Sequence, residues 1–594
     1  MNFIKKNYPY IILGLSVLLL LWRSLYGFCW SDEAFYLGIT NRFYQGDIPL
    51  MDEWHPSQLQ SLINVPFYAL YIAITGSTDG VYLFFRIFYV ILEGLTAFFT
   101  YKLLKKSASS FTSLLIAMFV LYYTHLNIAT TSYYTISVLS FVMVCVLIYS
   151  YRDTKSKVNL IIAGFLFALC VLSLAPMAAG YILMIIIAVV SFIFCKNQTL
   201  KKEIKDIFLY TLIGIAIPAV IFFIYLFCNM SVSKLIESLG YVFTDDEHPN
   251  SFNLTYPIRK FFFSVRDVFG NYGYIWFLCI PASFVYGCLI RDGLFKVIKI
   301  KETIIRKLDK FVCICFFLLE LSLLIIGWPK TIPNTGYIQS ALCLATTPVF
   351  FLCKKRDWRK AICFIAPGYL FAMVYSYSSD NFLHILAMGH FIALLGNILC
   401  IEDYFKEAED VKVNKIFGLV TTLIIVCGLI QTMSLRMWNV YRDAPIPTMT
   451  AKITCGPAKG IYTHPEHEKQ YMDVFNTMKE YGQAENEGDT ILISKLLPWA
   501  YLCTDSRCAG YTVWRIAMNS ERIKDYWTLE PDREADKILV LNEEYGSFYA
   551  CGDVLDDFNP NLNETGGYLK EYVDANDFTV IEVPCGLLYT KNVY

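Results

Sequence analysis

Apolar runs long enough to cross a lipid bilayer recur along most of this chain, and they constrain its fold more than any motif does. The first run covers residues 8–28, and similar runs follow at short intervals up to Leu435. A soluble fold has no place for so many spanning segments, and a composition of 56% hydrophobic and 17% charged residues agrees with this. The sequence therefore predicts a polytopic α-helical membrane protein.

Basic residues between the apolar runs predict the orientation of the helices. Lys5 and Lys6 precede the first run, which places the N-terminus in the cytoplasm by the positive-inside rule. Later basic clusters fall on the same side at alternate loops. We expect about thirteen crossings, at residues 8–28, 81–104, 111–123, 134–151, 158–174, 177–195, 208–228, 272–290, 311–327, 337–353, 361–377, 382–400 and 416–435.

Residues 29–79 form the predicted first external loop. Prolines interrupt it, and its moderately apolar piece is residues 59–75. If that piece crossed the membrane, Lys102 and Lys105 after the next run would lie outside, against the positive-inside rule. We therefore expect re-entrant or interfacial helices that cover a cavity on the outer face.

After Arg436 the composition changes to that of a soluble domain. An odd number of crossings from a cytoplasmic start places this part outside the cell membrane. We expect a membrane domain at residues 1–440 and an external α/β domain, periplasmic or extracellular, at residues 441–594. Hydrophobic patterns predict a helix at 464–481 and buried strands at 490–494, 537–541 and 578–583.

Most of the 19 cysteines lie in predicted spans, where a thiol packs as a small apolar side chain. Cys503 and Cys508 are close enough for a local disulfide in an oxidising compartment, although the sequence does not determine the connectivity. The external domain contains Cys455, Cys503, Cys508, Cys551 and Cys585.

Two adjacent carboxylates, Asp32 and Glu33, open the external loop directly after the first run. Trp30, Phe35 and Tyr36 flank them. A base at this position can act on a substrate whose other end lies in lipid. The alternative is a solvated helix cap at the start of a loop, and the residues leave both interpretations open.

This arrangement resembles the GT-C superfamily of polyprenyl-phosphate-sugar-dependent glycosyltransferases, in particular the branch similar to the protein O-mannosyltransferase and lipid A aminoarabinose transferase families (glycosyltransferase family 39-like). The resemblance covers residues 8–435. Its motifs are Ser-Asp-Glu at 31–33, Glu-Trp-His-Pro at 53–56 and Thr-Thr-Ser-Tyr-Tyr-Thr at 130–135. In the family's first loop, a basic residue or histidine precedes a proline, as His55 precedes Pro56 here. A second proline often follows in the family, where this chain has Ser57.

The resemblance implies an inverting transfer of a sugar from a polyprenyl-phosphate-linked donor to an envelope lipid, glycan or protein. In the family's role, Asp32 takes the proton of the acceptor hydroxyl, and Glu33 positions Asp32 or the acceptor. Cavity-lining residues are then His55, Tyr133 and Tyr134. The leaving phosphate needs cations, and the candidates are Arg42, Arg86, Lys330, His384 and, more deeply placed, His390.

Each cation also has an ordinary structural interpretation. Arg86 can extend to the interface or pair with Glu93. A histidine near the end of a span is commonly an interfacial hydrogen-bonding residue, and a loop lysine such as Lys330 is commonly solvated.

Asp245, Asp246, Glu247 and His248 form a second candidate site, for a divalent metal or for the acceptor, although such acidic runs are usually solvated. The proposed chemistry requires no cofactor. Net charge is −1, with an ordered distribution that does not indicate nucleic-acid binding. We expect a multi-pass protein of the cell membrane whose partners are lipids, the donor and the acceptor.

Two other functions remain open. Lipid or solute transporters often have duplicated halves with broken helices and charges near the midplane, and the sequence shows neither clearly. In a non-catalytic envelope assembly or sensory protein, the external α/β domain would be the working part.

Overall fold

The structure of the protein is a computed structural model. It describes residues 2–194, 196–244, 255–269, 273–331, 335–378, 382–407, 412–494, 496–514, 520–542, 545 and 567–592. The chain is mostly helical, at 73%, with a small region of β-sheet towards its C-terminal end. These observations confirm a helical fold with a smaller sheet region.

Apolar helices form the larger, N-terminal part, and each predicted run coincides with one of them. The first helix ends at Arg23, earlier than predicted. Two π-helical segments, Val285–Leu294 and Ala361–Ile365, continue neighbouring helices. The helices are α1 (Asn2–Arg23), α2 (Asp32–Tyr44), α3 (Ser61–Thr75), α4 (Val81–Leu104), α5 (Ser110–Tyr122), α6 (Tyr133–Thr154), α7 (Lys157–Ser173), α8 (Ala178–Phe194), α9 (Gln198–Asn229), α10 (Val232–Val242), α11 (Tyr256–Phe269), α12 (Gly273–Phe284), α13 (Phe295–Val297), α14 (Glu302–Thr331), α15 (Thr335–Leu352), α16 (Trp358–Lys360), α17 (Ala366–Ser378), α18 (Phe382–Glu407) and α19 (Lys412–Trp438).

Within the described residues, seven helices are long and apolar enough to cross a membrane: Val81–Leu104, Tyr133–Thr154, Ala175–Phe194, Gln198–Asn229, Leu278–Val297, Leu386–Glu407 and Lys415–Trp438. Shorter apolar helices accompany them at Asn7–Arg23, Ser110–Tyr122, Lys157–Ser173 and Gly336–Leu352. By length and composition this is a multi-pass membrane protein. The count of about thirteen crossings and their orientation stay predictions.

Helices α2 and α3 occupy the predicted external loop and pack on each other. Ser61 Oγ donates to the carbonyl of Tyr36 over 3.1 Å, and Tyr68 OH donates to Asn41 Oδ1 over 2.9 Å. At 15 residues, α3 is shorter than the roughly 20 residues that a crossing needs. Its location in the membrane interface stays a prediction.

The C-terminal part holds a five-stranded mixed sheet in the order β4-β3-β5-β7-β6. β3 runs parallel to β4 and β5, whereas β7 is antiparallel to both β5 and β6. The three predicted strands are confirmed as β3, β5 and β6, but only β3 and β5 are buried throughout, whereas β6 is mostly exposed or half-buried. The elements are β1 (Ala451–Lys452), β2 (Tyr462–Thr463), α20 (Pro465–Tyr481), β3 (Thr490–Ile493), β4 (Arg507–Cys508), α21 (Ser520–Leu529), β5 (Lys537–Leu541), α22 (Gly567–Ala575), β6 (Phe578–Val583) and β7 (Gly586–Lys591).

This C-terminal part packs directly onto the segment between α1 and α4, the predicted external loop. The ring of Phe28 lies 5.7 Å from that of Trp499, and Asn41 Nδ2 donates to the carbonyl of Tyr501 over 3.1 Å. A Cβ atom at Gly38 would lie 3.0 Å from the carbonyl oxygen of Pro498, so glycine permits this close approach. The start of α2 is therefore enclosed between the membrane helices and the C-terminal part.

Helices α10 and α11 lie between the predicted crossings at 208–228 and 272–290, and Tyr241 of α10 stacks on Trp54 at 4.3 Å. The local disulfide considered for Cys503 and Cys508 is not formed. Both residues are buried free thiols, and each is directed at a backbone carbonyl 3.7 Å away. Cys455 and Cys585 are also free, and Cys551 lies outside the described residues.

Candidate active site at the start of helix α2

Asp32 begins α2 and is the partly exposed member of the acidic pair. Backbone N–H groups at a helix start favour a carboxylate in the first turn. Ser31 Oγ donates to Asp32 Oδ2 over 3.0 Å, and Arg442 Nη1 lies 3.3 Å from the same oxygen. The Asp32 side chain keeps 13% of its surface exposed. It is therefore held in place yet still reachable, as a general base must be.

Arg442 lies in the connection between α19 and the C-terminal part. Its Nη1 donates to Ser31 Oγ over 2.6 Å, and its guanidinium carbon lies 5.4 Å from the Trp30 ring centre and 5.2 Å from that of Tyr441. Burial disfavours the charged form, but Asp32, Tyr441 and Cys29 together outweigh it and raise the pKa of Arg442 above its usual value. The guanidinium thus stays charged beside Asp32.

Glu33 is buried and has a different set of partners. Its Oε2 accepts from Arg86 Nε over 3.0 Å and also from Arg86 Nη2, while its Oε1 accepts from the Ala129 backbone N–H over 3.0 Å. Arg86 also donates to two backbone carbonyls in the loop after α1. Glu93, the alternative partner of Arg86 in the sequence interpretation, pairs instead with Arg436 at 3.2 Å. Glu33 and Arg86 therefore tie together α2, α4 and the loop before α6.

Tyrosine side chains lie beside the acidic pair. Tyr36 is one helical turn after Asp32, and its ring centre lies 5.8 Å from that of Tyr133. Tyr375 OH donates to Tyr133 OH over 3.1 Å, and Tyr133 packs against Tyr134 with ring centres 3.8 Å apart. Aromatic rings and hydroxyls of this kind suit contact with a sugar.

His55 packs against Phe35 of α2. Its ring centre is 4.5 Å from that of Phe35 and 6.4 Å from that of Trp514. The backbone N–H of Ser57 donates to His55 Nδ1 over 3.1 Å. Trp514 comes from the C-terminal part, so this aromatic group packs the predicted external loop against that part.

Arg42, at the far end of α2, is buried within a network of acidic residues. Its Nε donates to Asp47 over 2.7 Å, its Nη1 to Glu53 over 2.9 Å, and its Nη2 to the backbone carbonyl of Asp52. Arg533 from the C-terminal part also donates to Asp47, over 2.7 Å. These partners occupy all three nitrogens of Arg42, so the geometry does not support its predicted role in binding a donor phosphate.

Glu53 carries the clearest pKa shift in this network. Burial raises its pKa from 4.5 to about 7, although Arg42, the Thr512 hydroxyl and the His55 backbone N–H all favour the ionised form. Asp47 also pairs with Arg533 and Arg507, whereas Glu53 pairs with Arg42 alone among the described residues, and this one guanidinium does not fully offset the burial of Glu53. Glu53 can therefore change its charge near neutral pH.

The remaining predicted residues are not gathered at this site by the described contacts. His390 is buried in α18 and exchanges a hydrogen bond with Ser340 at 3.0 Å. Lys330 in α14 and His384 in α18 have side chains outside the described part, as do residues 245–248 altogether. The described residues include no cluster of three or more metal-ligating side chains.

Arg442 is the main site residue that the sequence interpretation missed. It lies 411 residues from Ser31, and no local pattern links the two segments. The sequence feature that comes closest to indicating Arg442 is the pair of arginines, Arg436 and Arg442, with aromatic neighbours at the end of the last apolar run. A search for cations at the outer ends of spans, extended a few residues further, would have included Arg442.

One solved structure similar to this chain is that of the archaeal oligosaccharyltransferase AglB from Archaeoglobus fulgidus, in complex with an inhibitory peptide and a dolichol-phosphate. The similarity has a TM-score of 0.45 and 10% sequence identity, over 99% of this chain and 75% of that one. No family model matches the chain, and no curated protein matches it.

Proposed function

We propose that this protein is an inverting glycosyltransferase that moves a sugar from a polyprenyl-phosphate-linked donor to an acceptor in the cell envelope. The observation that carries this proposal is that two adjacent carboxylates differ in burial and in their partners. Glu33 is buried and neutralised by Arg86, whereas Asp32 is partly exposed and held only by Ser31 and Arg442 among the described residues. The pair thus divides into a structural residue and a residue that can react.

In the proposed reaction, an acceptor hydroxyl oxygen attacks the anomeric carbon of the donor sugar. The bond between that carbon and the donor phosphate oxygen breaks, and polyprenyl phosphate leaves with the bonding electrons. Asp32 accepts the hydroxyl proton as attack proceeds. Glu33 keeps Asp32 in place through Arg86 and the Ala129 N–H, and Tyr133, the partly exposed tyrosine of this group, contacts the sugar.

The acceptor is a lipid, glycan or protein, and the reaction takes place at the outer face of the cell membrane. Basic loops on one side of the apolar runs support this orientation. A reporter fused after Tyr594 should be external, and one inserted near Lys301 should be cytoplasmic. Detection of both reporters on the same side would contradict the orientation.

Reconstitution tests the reaction itself. The purified full chain in proteoliposomes receives short-chain polyprenyl phosphates carrying single hexoses or pentoses, together with an envelope extract. Transfer of sugar to a component of the extract, detected by mass spectrometry, would support the proposal. Movement of intact lipid-linked sugar between leaflets without any new glycosidic bond would instead identify a transporter.

A further inference from the structure

Arg442 differs from the other described arginines around α2 in how firmly its guanidinium is held. Arg42 and Arg86 keep 1% and 4% of their side-chain surface exposed and donate to several carboxylate and carbonyl groups. The Arg442 side chain is 28% exposed, and it contacts Asp32 at 3.3 Å, the Ser31 hydroxyl and the rings of Trp30 and Tyr441. Of the three guanidinium groups, that of Arg442 can change partner without breaking a buried network.

The backbone beneath Arg442 is fixed, although its side chain reaches a partly exposed site. Its φ of +53° lies in the left-handed region, which residues with a Cβ rarely adopt. The next residue, Asp443, is buried and accepts hydrogen bonds from Thr463 Oγ1 over 2.7 Å and from the Phe28 backbone N–H, and it pairs with His467 Nδ1 at 2.6 Å. A strained residue held by its neighbours is typical of functional sites. Any exchange of partner must then come from rotation of the Arg442 side chain.

We propose that Arg442 exchanges partners during the reaction, binding Asp32 in the resting protein and the phosphate of the lipid-linked donor once the donor has bound. This inference rests on the proposed function and concerns the same site. Departure of the guanidinium frees Asp32 to accept the acceptor proton. The leaving polyprenyl phosphate gains negative charge as the sugar–oxygen bond breaks, and the planar guanidinium suits that group with paired N–H donors. Donor binding therefore unmasks the base.

This exchange predicts that a substitution at the proposed base increases the affinity for phosphate. If Asp32 and the phosphate compete for one guanidinium, removal of the Asp32 charge should strengthen phosphate binding. A purely structural ion pair predicts no such gain, because its loss would leave the phosphate site unchanged or damaged. The two substitutions should also be coupled, because each acts through the same contact.

The experiment measures equilibrium binding of farnesyl phosphate and neutral farnesol to the purified full chain in phosphatidylcholine nanodiscs. Arg442→Gln should weaken farnesyl phosphate binding at least about tenfold, as expected for loss of a charged hydrogen bond, and leave farnesol binding unchanged. Asp32→Asn should strengthen phosphate binding about threefold or more. The double variant should bind as weakly as Arg442→Gln. Arg442→Lys, which keeps the charge, should fall between the wild type and Arg442→Gln.

Arg507→Gln is the matched control, because Arg507 is 30% exposed and pairs with Asp47 at 3.1 Å, away from Asp32. It should leave farnesyl phosphate affinity unchanged. Weaker binding in Asp32→Asn than in the wild type, or equal losses in Arg507→Gln and Arg442→Gln, would overturn the inference. The same measurement in phosphatidylglycerol nanodiscs gives a further test. If wild type and Arg442→Gln then bind farnesyl phosphate equally, Arg442 belongs to a general anionic-lipid site and the inference is overturned.

The binding measurements on the single and double variants of Asp32 and Arg442 do not depend on turnover. If the cycle behaves as predicted but no sugar is transferred, the partner exchange stands and the proposed function fails. If sugar is transferred while Asp32 and Arg442 show no coupling, the function stands and the partner exchange is refuted.

Discussion

The two ends of α2 each place an ion pair against the C-terminal part, yet the two pairs differ in burial and in number of partners. At the first turn, Asp32 and Arg442 are 13% and 28% exposed and form a single pair at 3.3 Å. At the last turn, Arg42 is 1% exposed and serves Asp47 and Glu53 together. One end of the helix is therefore partly exposed and singly paired, and the other end is buried and held by several partners.

The comparison shows why charge and position alone do not define a catalytic residue. A buried guanidinium surrounded by carboxylates is expensive to unpair, and its contacts are therefore permanent. A partly exposed pair loses little when water or a ligand replaces one partner. Partner number and burial together separate the two roles.

The largest expected effect is on stability at the buried end. Arg42→Met leaves Asp47 and Glu53 without their shared partner and should lower the free energy of unfolding by about 3–5 kcal/mol. Arg442→Met, the matched change at the other end, should lower it by less than about 1 kcal/mol. Thermal unfolding in detergent measures both, and equal losses would break the comparison.

Glu33→Gln tests the buried residue next to the reactive one. The change keeps the shape but leaves the Arg86 charge unbalanced, so we expect a loss of about 2 kcal/mol or more in unfolding free energy. Sugar transfer by the folded fraction should fall less than in Asp32→Asn. Loss of transfer equal to that of Asp32→Asn, with unchanged stability, would assign Glu33 to the chemistry.

Helix and strand positions followed from local pattern, whereas the site depended on distant contacts. Spanning helices and β3, β5 and β6 were predictable because each is determined by hydrophobicity over a short window. The partners of Arg42 were also within reach, since Asp47 is 5 and Glu53 is 11 residues away. The contact of Arg442 with Ser31 and Asp32 was not, because it forms only when the C-terminal part folds over the loop.

The stability of the protein should also depend on pH through Glu53, at the buried end of α2. The folded pKa of Glu53 is raised from 4.5 to about 7, so the folded state binds this proton more tightly than the unfolded state does. The resulting stability is fully present below about pH 4.5 and is lost as the pH rises through about 7. Glu53→Gln should flatten the fall in melting temperature over that range, whereas Glu466→Gln, at an exposed side chain, should not. A slope unchanged by Glu53→Gln would contradict the assignment.

The smallest effect is expected at a surface pair between the same two parts of the chain. Lys459 and Asp79 lie 3.5 Å apart with 53% and 35% of their side chains exposed. Lys459→Ala should change the unfolding free energy by less than about 1 kcal/mol, and added salt should reduce even that. A larger loss would mean that exposure does not separate permanent from exchangeable pairs in this protein.

The central claim is that Asp32 is the general base, and the turnover of Asp32→Asn tests it most directly. Asparagine keeps the size and much of the hydrogen bonding but cannot accept a proton at neutral pH. With purified wild type and variant, a polyprenyl-phosphate sugar and an envelope extract, transfer should fall by about a hundredfold or more, while donor binding is retained or tightened. An Asp32→Asn protein that folds, binds donor and transfers sugar at the wild-type rate would contradict the claim.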